Sequence, residues 1–559
     1  MSKKGFFFYT AFFFLFLVSC NEENYTKEDG SPVSVDTVRI EVMLTADVHG
    51  RVRGWDYYQN LEDPYHSLAK IATLADSIRK SNPNTILLDA GDWLQGNLFA
   101  EYFAVHDQKQ SHYPFLKAVD HMSYDAIVIG NHEFNFGIEY LNRQLEATNT
   151  PALGANILTY GTEEPAYTPY LVKEIEGIHV AIIGLTTPGS AIWDKHHVNQ
   201  RLTFADGPSV AEQYTRLLQE KDLADVVIIL AHSGLNGSSG YQSDTLGEEN
   251  FGRTIAETIP GVHLLALGHT HRVLDNQHID GPDGASVAVL QPGRWASHLG
   301  IAEFKIIKGK DINPSVVEVS TYNIPVTEST EEHPGVVSIT EEAHQRVVSF
   351  ATEPLAYTVD HWSAAHSRHG NSAIIDLIHE VQLRETGAQL SAAASFNTNV
   401  QFGPGKITRG DIGLLYPFHN TLFKIEITGE DLKKYLEFTS RYYETMSEEE
   451  QEPRINRDWP GFNFDMISGI EYHMDLRNHP GNRIVQLTYK GKEIKDEDVF
   501  TLAINSYRAS GGGGFDMLSN ASVLKTIYRS VSDMIISYLQ KRESISKADV
   551  AQNNWKLIY

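Results

Sequence analysis

Val226-Val227-Ile228-Ile229-Leu230-Ala231-His232-Ser233 is an apolar run that stops on a histidine, and the pattern recurs along the chain. Val38 to Leu44 leads into Thr45-Ala46-Asp47-Val48-His49-Gly50, and Ile86 to Leu88 into Asp89-Ala90-Gly91-Asp92. Ala126 to Ile129 leads into Gly130-Asn131-His132-Glu133, and Leu264 to Leu267 into Gly268-His269-Thr270-His271. Apolar runs without alternation suit strands covered on both faces. Val180 to Gly184 is another such run, and amphipathic stretches at Leu68 to Ile78 and Phe115 to His121 lie between. The alternation predicts an α/β layered domain whose polar clusters sit at the C-terminal ends of strands, where open sheets bind ligands.

The clusters share one chemistry. Asp47 and His49, two apart at a strand end, can bracket one cation. Asp92 follows a glycine that permits close backbone approach, and a carboxylate can bridge two cations where an imidazole cannot. Asn131 offers a neutral oxygen, and His232, His269 and His271 offer nitrogens. Together they provide the donors for two divalent metal ions of the Zn, Mn or Co type, a centre that can activate water and neutralise phosphoryl oxygens. His132, next to Asn131, is left free to stabilise a phosphoryl group or protonate a leaving oxygen. His106, His112, His196 and His473 fall outside the register and read as ordinary core or surface residues.

The 559 residues exceed what one core usually supports, so two domains are expected. Lys3 and Lys4 precede an apolar run from Phe6 to Val18, too short to span a bilayer and suited to a signal-peptide core. Leu17-Val18-Ser19-Cys20 resembles a bacterial lipobox, which implies a signal peptide over 1–19, a lipid anchor and membrane attachment at Cys20, and a polar tether over 20–35. An extracytoplasmic lipoprotein, periplasmic or cell-surface, is therefore expected. Cys20 is the single cysteine, so no internal disulfide can form. A net charge of −26 repels polyanions and argues against duplex nucleic acid as a partner, while bound cations still admit small anionic esters. No protein partner is evident from the sequence.

The strand pattern breaks at Pro325, Glu328 to Pro334 is acidic and polar, and Val337 to Phe350 reads as a connecting helix. The expected division is 36–327 for the metal domain, 328–354 for the connector and 355–559 for a second α/β domain. The latter shows helical stretches at Ser372 to Thr386 and Gly429 to Thr439. Its strands are expected at Leu422 to Ile427, Gly469 to Met474 and Ile484 to Tyr489.

In order and flanks, the clusters resemble the 5'-nucleotidase family of calcineurin-like metallophosphoesterases. That resemblance implies a four-layer αββα metallophosphoesterase domain followed by an α/β substrate-binding domain. It assigns Asp47, His49, Asp92 and His271 to one ion and Asp92, Asn131, His232 and His269 to the other. Asn135 stands where the 5'-nucleotidase branch usually has an aspartate paired with the catalytic histidine. With Trp55-Asp56-Tyr57-Tyr58 and Trp193-Asp194-Lys195, it points to the 2',3'-cyclic-nucleotide phosphodiesterase and 3'-nucleotidase branch. His132 and Asn135 are thus the implied catalytic pair, although a neutral Asn cannot stabilise an imidazolium as a carboxylate would.

Ser391 to Gly405 lacks the arginines by which 5'-nucleotidases grip substrate. Leu415 to Thr421 and Asn505 to Gly511 resemble the two loops that sandwich a base, making Phe418 and Tyr507 the stacking pair and Asn420 and Asp516 candidate base or ribose contacts. Gly511 to Gly514 lacks the Lys-Ser/Thr of a P-loop and reads as a turn admitting the base. The expected reaction opens 2',3'-cyclic nucleotides to 3'-nucleotides and releases phosphate from these. The alternatives are a 5'-nucleotidase or nucleotide-sugar hydrolase, remotely a thiosulfate-ester hydrolase, and a non-catalytic nucleotide-binding surface lipoprotein.

Overall fold

The computed structural model describes residues 35–107, 113–238, 245–282, 284–310, 312–418, 420–447, 449–518 and 521–559. The expected signal peptide, Cys20 with its lipid, and the tether up to residue 34 lie outside the described residues, as do His112 and His419. Among the described residues no helix is long and apolar enough to cross a membrane.

In chain order, the first domain contributes β1 (Asp36–Thr45), β2 (Thr85–Asp89), β3 (Ala126–Val128), β4 (Ala152–Leu153), β5 (Tyr170–Ile175) and β6 (Ile178–Thr186). They are followed by β7 (Val226–His232), β8 (Leu264–Leu267), β9 (Val273–Asp280), β10 (Ser286–Pro292), β11 (His298–Gly309) and β12 (Ile312–Pro325). One six-stranded sheet runs β12-β11-β1-β2-β3-β4, parallel from β1 to β4 and antiparallel at β11 and β12. The other runs β9-β10-β8-β7-β6-β5, parallel from β10 to β6 and antiparallel at both edges.

The sheets pack face to face, and side-chain alternation explains why their strands read as unbroken apolar runs. Val38, Ile40, Val42 and Leu44 of β1 join Ile228 and Leu230 of β7 in the core between the sheets. Met43 turns outward to the helices Leu68–Ser81 and Pro114–His121, while Val227 and Ile229 turn outward to Gly207–Glu220 and Gly252–Thr258. Both faces of each sheet are thereby covered, which is the expected αββα arrangement. The helix Leu68–Ser81 begins where Ser67 accepts the N–H of Lys70, a cap worth about 1 kcal/mol.

The helix Pro334–Ala351 buries Val336, Ala343, Val347 and Ala351 in the first domain's outer core. Beyond it, a five-stranded sheet has the order Asp465–Ser468, Leu390–Ala394, Val499–Asn505, Thr421–Thr428, Val523–Ser530. A smaller sheet holds Glu471–Asp475, Ile484–Tyr489, Lys492–Glu493 and Trp555–Ile558. The strand predicted at Gly469 to Met474 begins two residues later, at Glu471, because Gly469 has φ +94° and a Cβ there would lie 2.4 Å from the Gln389 carbonyl oxygen. The chain turns at that point, so Asp465–Ser468 pairs with Leu390–Ala394 and Glu471–Asp475 belongs to the smaller sheet. Where the domains touch, Tyr58 lies against Gly410 and Gly413 on the helix Arg409–Leu415; a Cβ on Gly413 would come within 2.2 Å of its ring.

Candidate metal centre and its surroundings

His232 is the last residue of β7, and Asp47, Asp92, Asn131 and His269 follow the ends of β1, β2, β3 and β8. The site therefore draws on the C-terminal edges of both sheets. Asp47, His49, Asp92, Asn131 and His232 are buried, whereas His271 keeps 32% of its side chain exposed. Five of the predicted ligands have left-handed backbone: Asp47 (φ 51°), His49 (50°), Asp92 (62°), His269 (69°) and His271 (58°). Each such residue costs on the order of 1–2 kcal/mol, and the concentration of that strain at one site marks these turns as built for their side chains.

The donors form two compact groups, Asp47 with His49 and His271, and Asp47 with Asp92 and His232. The resemblance implies Asp92 as the shared ligand; in these groups the shared residue is Asp47. His49 Nε2 lies 3.2 Å from His271 Nε2, and His271 Nε2 lies 3.4 Å from Asp47 Oδ1. His232 Nε2 meets Asp92 Oδ2 at 3.1 Å and Asn131 Oδ1 at 3.0 Å.

Acceptor-only partners set the imidazole tautomers. His49 Nδ1 donates to the Gln95 carbonyl and His232 Nδ1 to the Ala90 carbonyl, both at 2.7 Å, so each ring aims Nε2 at the ligand group. His269 Nε2 donates to Glu249 Oε1 at 3.1 Å, which leaves the lone pair on Nδ1 as the atom that can bind a cation. His271 Nδ1 accepts from Arg294 at 3.0 Å, a bond it must give up to bind a cation through Nε2.

The electrostatics fit a cation. Burial pushes His49 down to about 3, which keeps it a neutral ligand. At His232 burial opposes charge, but the Asp92 carboxylate overrides it and lifts the ring to about 10. With oxygens crowding Nε2, a proton or a metal ion is what this position calls for. Asp92 is held well below the carboxylate range: burial works against this, and His232 and His132 outweigh burial. The donor set thus suits divalent metal.

His132 sits beside the groups, its ring 5.3 Å from that of His49 and its Nε2 3.9 Å from Asp92 Oδ2. Its Nδ1 bonds Asn135 Oδ1 at 2.6 Å. In the second domain, Phe418 is 39% exposed and rests edge-on against Phe396 at 4.9 Å. The Tyr507 phenol is raised by burial, countered by Arg508 and reinforced by Glu249 of the first domain, whose carboxylate bonds His269. Asn420 accepts the N–H of Val531 through its carbonyl. Asp516 borders a separate surface cavity of about 720 Å³ with Lys433, Lys434 and Glu437, which neither Phe418 nor Tyr507 lines. Gly511 to Gly514 wraps the buried Arg508, whose guanidinium donates to the Gly512 carbonyl and both Asp465 oxygens.

Several supporting residues escaped the sequence reading. Glu133 accepts the N–H groups of Gly130, Asp92, Trp93 and Leu94, tying two clusters to one carboxylate. Glu249 and Arg294 flank the last histidine cluster from loops without a distinctive pattern. Asp194 lies in a quoted segment, but nothing in the sequence connects it to Asn135.

Comparison with known proteins agrees with this architecture. The calcineurin-like phosphoesterase family matches residues 40–273, and the 5'-nucleotidase C-terminal domain matches residues 347–520. A Salmonella typhimurium 2',3'-cyclic-nucleotide 2'-phosphodiesterase/3'-nucleotidase is 27% identical over 86% of this chain and 82% of its own. The Haemophilus influenzae protein of the same description is 26% identical over 93% and 88%. A Staphylococcus aureus crystal structure assigned as a 5'-nucleotidase shares the fold, with TM-score 0.80 and 22% identity over 93% of this chain and 100% of that one.

Proposed function

We propose, for a chain that belongs to the 5'-nucleotidase family of calcineurin-like metallophosphoesterases and is a metal-dependent phosphoric ester hydrolase, that the substrates are 2',3'-cyclic nucleotides and 3'-nucleotides. The first are opened to 3'-nucleotides, and the second yield nucleoside and phosphate. The observation that carries this reading is the convergence of two ligand groups and His132 at one set of strand ends. The relatives named as 2',3'-cyclic-nucleotide 2'-phosphodiesterase/3'-nucleotidases, at 26–27% identity, favour this branch over the 5'-nucleotidases at 22–23%.

Two divalent ions would be held by Asp47, His49, Asp92, Asn131, His232, His269 and His271; bound there, they supply an acidified water and neutralise phosphoryl oxygens. His132 presents Nε2 to the same space and gives a proton to the departing ribose oxygen. Phe418 and Tyr507 hold the base by stacking, which tolerates any base and lets one clamp serve both steps. Export and anchoring through an acylated Cys20 belong to the same proposal, supported by Leu17-Val18-Ser19-Cys20.

Product analysis tests it. The purified chain with added Mn or Zn is given 2',3'-cyclic AMP, 3'-AMP and 5'-AMP separately. Adenosine from the first two and little from 5'-AMP is expected. Preferred cleavage of 5'-AMP would overturn the branch, and inertness with metal bound would overturn catalysis.

A further inference from the structure

Asn135 is a neutral partner for His132, yet the hydrogen-bond chain does not end on it. Asn135 Nδ2 donates to Asp194 Oδ1 at 2.9 Å while Asn135 Oδ1 meets His132 Nδ1 at 2.6 Å. Asp194 is 4% exposed and stands between the short helical turns Ser190–Trp193 and Lys195–Val198. Its backbone is bonded on both sides: its N–H donates to the Ser190 carbonyl, and its carbonyl accepts from His197 and Val198. The neighbouring Trp193 ring stacks on His269 at 5.6 Å, so this turn is registered against the metal cluster.

The polarity of the chain follows from what each group can do. An ionised carboxylate only accepts, so the Asn135 amide must turn its NH2 toward Asp194 and its oxygen toward His132. That oxygen only accepts, so His132 must carry a proton on Nδ1. With Nδ1–H committed to Asn135, the proton the imidazolium can give up is the one on Nε2, the atom that faces Asp92 and the ligand groups, and the neutral ring left behind keeps Nδ1–H and its lone pair on Nε2. Burial pushes Asp194 up to about 6, which still leaves it ionised at neutral pH.

We propose that Asp194 is a positioning residue which, acting through Asn135, fixes the tautomer of His132 and aims its Nε2 at the scissile phosphoester. This rests on the proposed role of His132 in phosphoester hydrolysis. It also explains how asparagine can stand where a direct carboxylate partner would otherwise be expected: the negative charge sits one residue further out, and the amide relays its direction.

The test is Asp194→Asn, which frees the amide of Asn135 to turn over and donate to Nδ1, an arrangement that excludes the imidazolium and leaves only the weakly acidic N–H of the neutral ring. With 3'-AMP, kcat is expected to fall about 100-fold with KM little changed; with p-nitrophenyl phosphate, whose leaving oxygen needs no proton, the fall is under about threefold. Metal content stays at the wild-type value. In a His132→Ala background the same substitution adds no further loss, because the effect runs through the ring. Equal losses on both substrates, an additive loss with His132→Ala, or lost metal would overturn the assignment and leave Asp194 a structural residue. Full 3'-AMP turnover by His132→Ala alone would instead remove His132 from the reaction, and the positioning role with it. Should Asp194→Asn not fold, Asn135→Ser cuts the relay with Asp194 in place and must show the same leaving-group selectivity.

Discussion

Both carboxylate oxygens of Asp47 lie 3.1 Å from the backbone nitrogen of His269, so the residue common to the two ligand groups also fixes the loop that carries the last two histidines. Asp47→Ala is therefore expected to abolish binding of both ions. His271→Ala, which touches one group, is expected to spare one of them. Metal per chain, measured by elemental analysis after gel filtration, separates the two outcomes; equal losses would show that Asp47 has no special place.

Gly130 tests how tightly the strand ends are packed. A Cβ there would lie 2.3 Å from Asp92 Oδ1 and 2.7 Å from its backbone nitrogen. Gly130→Ala is expected to displace Asp92 and weaken metal binding at least about tenfold, at a folding cost of about 1–3 kcal/mol. Calorimetric metal titration and a denaturant melt read the two effects separately.

The proposed base clamp makes a different prediction. Phe418→Ala and Tyr507→Ala are each expected to raise KM for 3'-AMP by about 5-fold or more, since a stacked base is worth about 1–3 kcal/mol. Hydrolysis of glycerol phosphate, which has no base, should be unchanged. A loss on both substrates would place these rings in the fold and not at the substrate.

Acid sensitivity of the second domain follows from His379, buried on the helix Ala373–Thr386 with its Nδ1 3.0 Å from Ser391 Oγ. Burial pushes it down to about 3 from 6.5, so between these values the unfolded chain holds a proton that the folded chain refuses. Its contribution to stability is whole above 6.5 and is lost as pH falls, by about 1.4 kcal/mol per pH unit. Urea unfolding at pH 7 and pH 5 should show a difference about 2 kcal/mol smaller in His379→Gln than in wild type.

Sheet order could not be read along the chain, but the strand ends at which the polar clusters meet could, because strand periodicity and donor chemistry coincide there. Val226 to His232 needs apolar side chains on both faces and a donor at its end, and both demands act on residue type. What escaped acts on something else. The tautomers of His49 and His232 are set by carbonyls of Gln95 and Ala90, which any residue supplies. Glu249 reaches His269, and Asp194 reaches Asn135, only through the packing of distant loops. The turn Asp516–Leu518 borders a surface cavity with Lys433, Lys434 and Glu437 of the helix Gly429–Thr439, a packing that composition does not mark. The turn at Gly469, which delays the following strand to Glu471, is a backbone demand hidden inside an otherwise strand-like composition.

The left-handed turns also bear on how this site can drift over generations. At Asp47, His49, Asp92, His269 and His271 the backbone excludes β-branched residues before any question of chemistry arises, while Asn, Asp, His and Gly remain admissible. Substitutions that survive there will be drawn from a short alphabet that is itself rich in metal donors. A lineage that lost the reaction through one of these side chains would still inherit the shape of the loops.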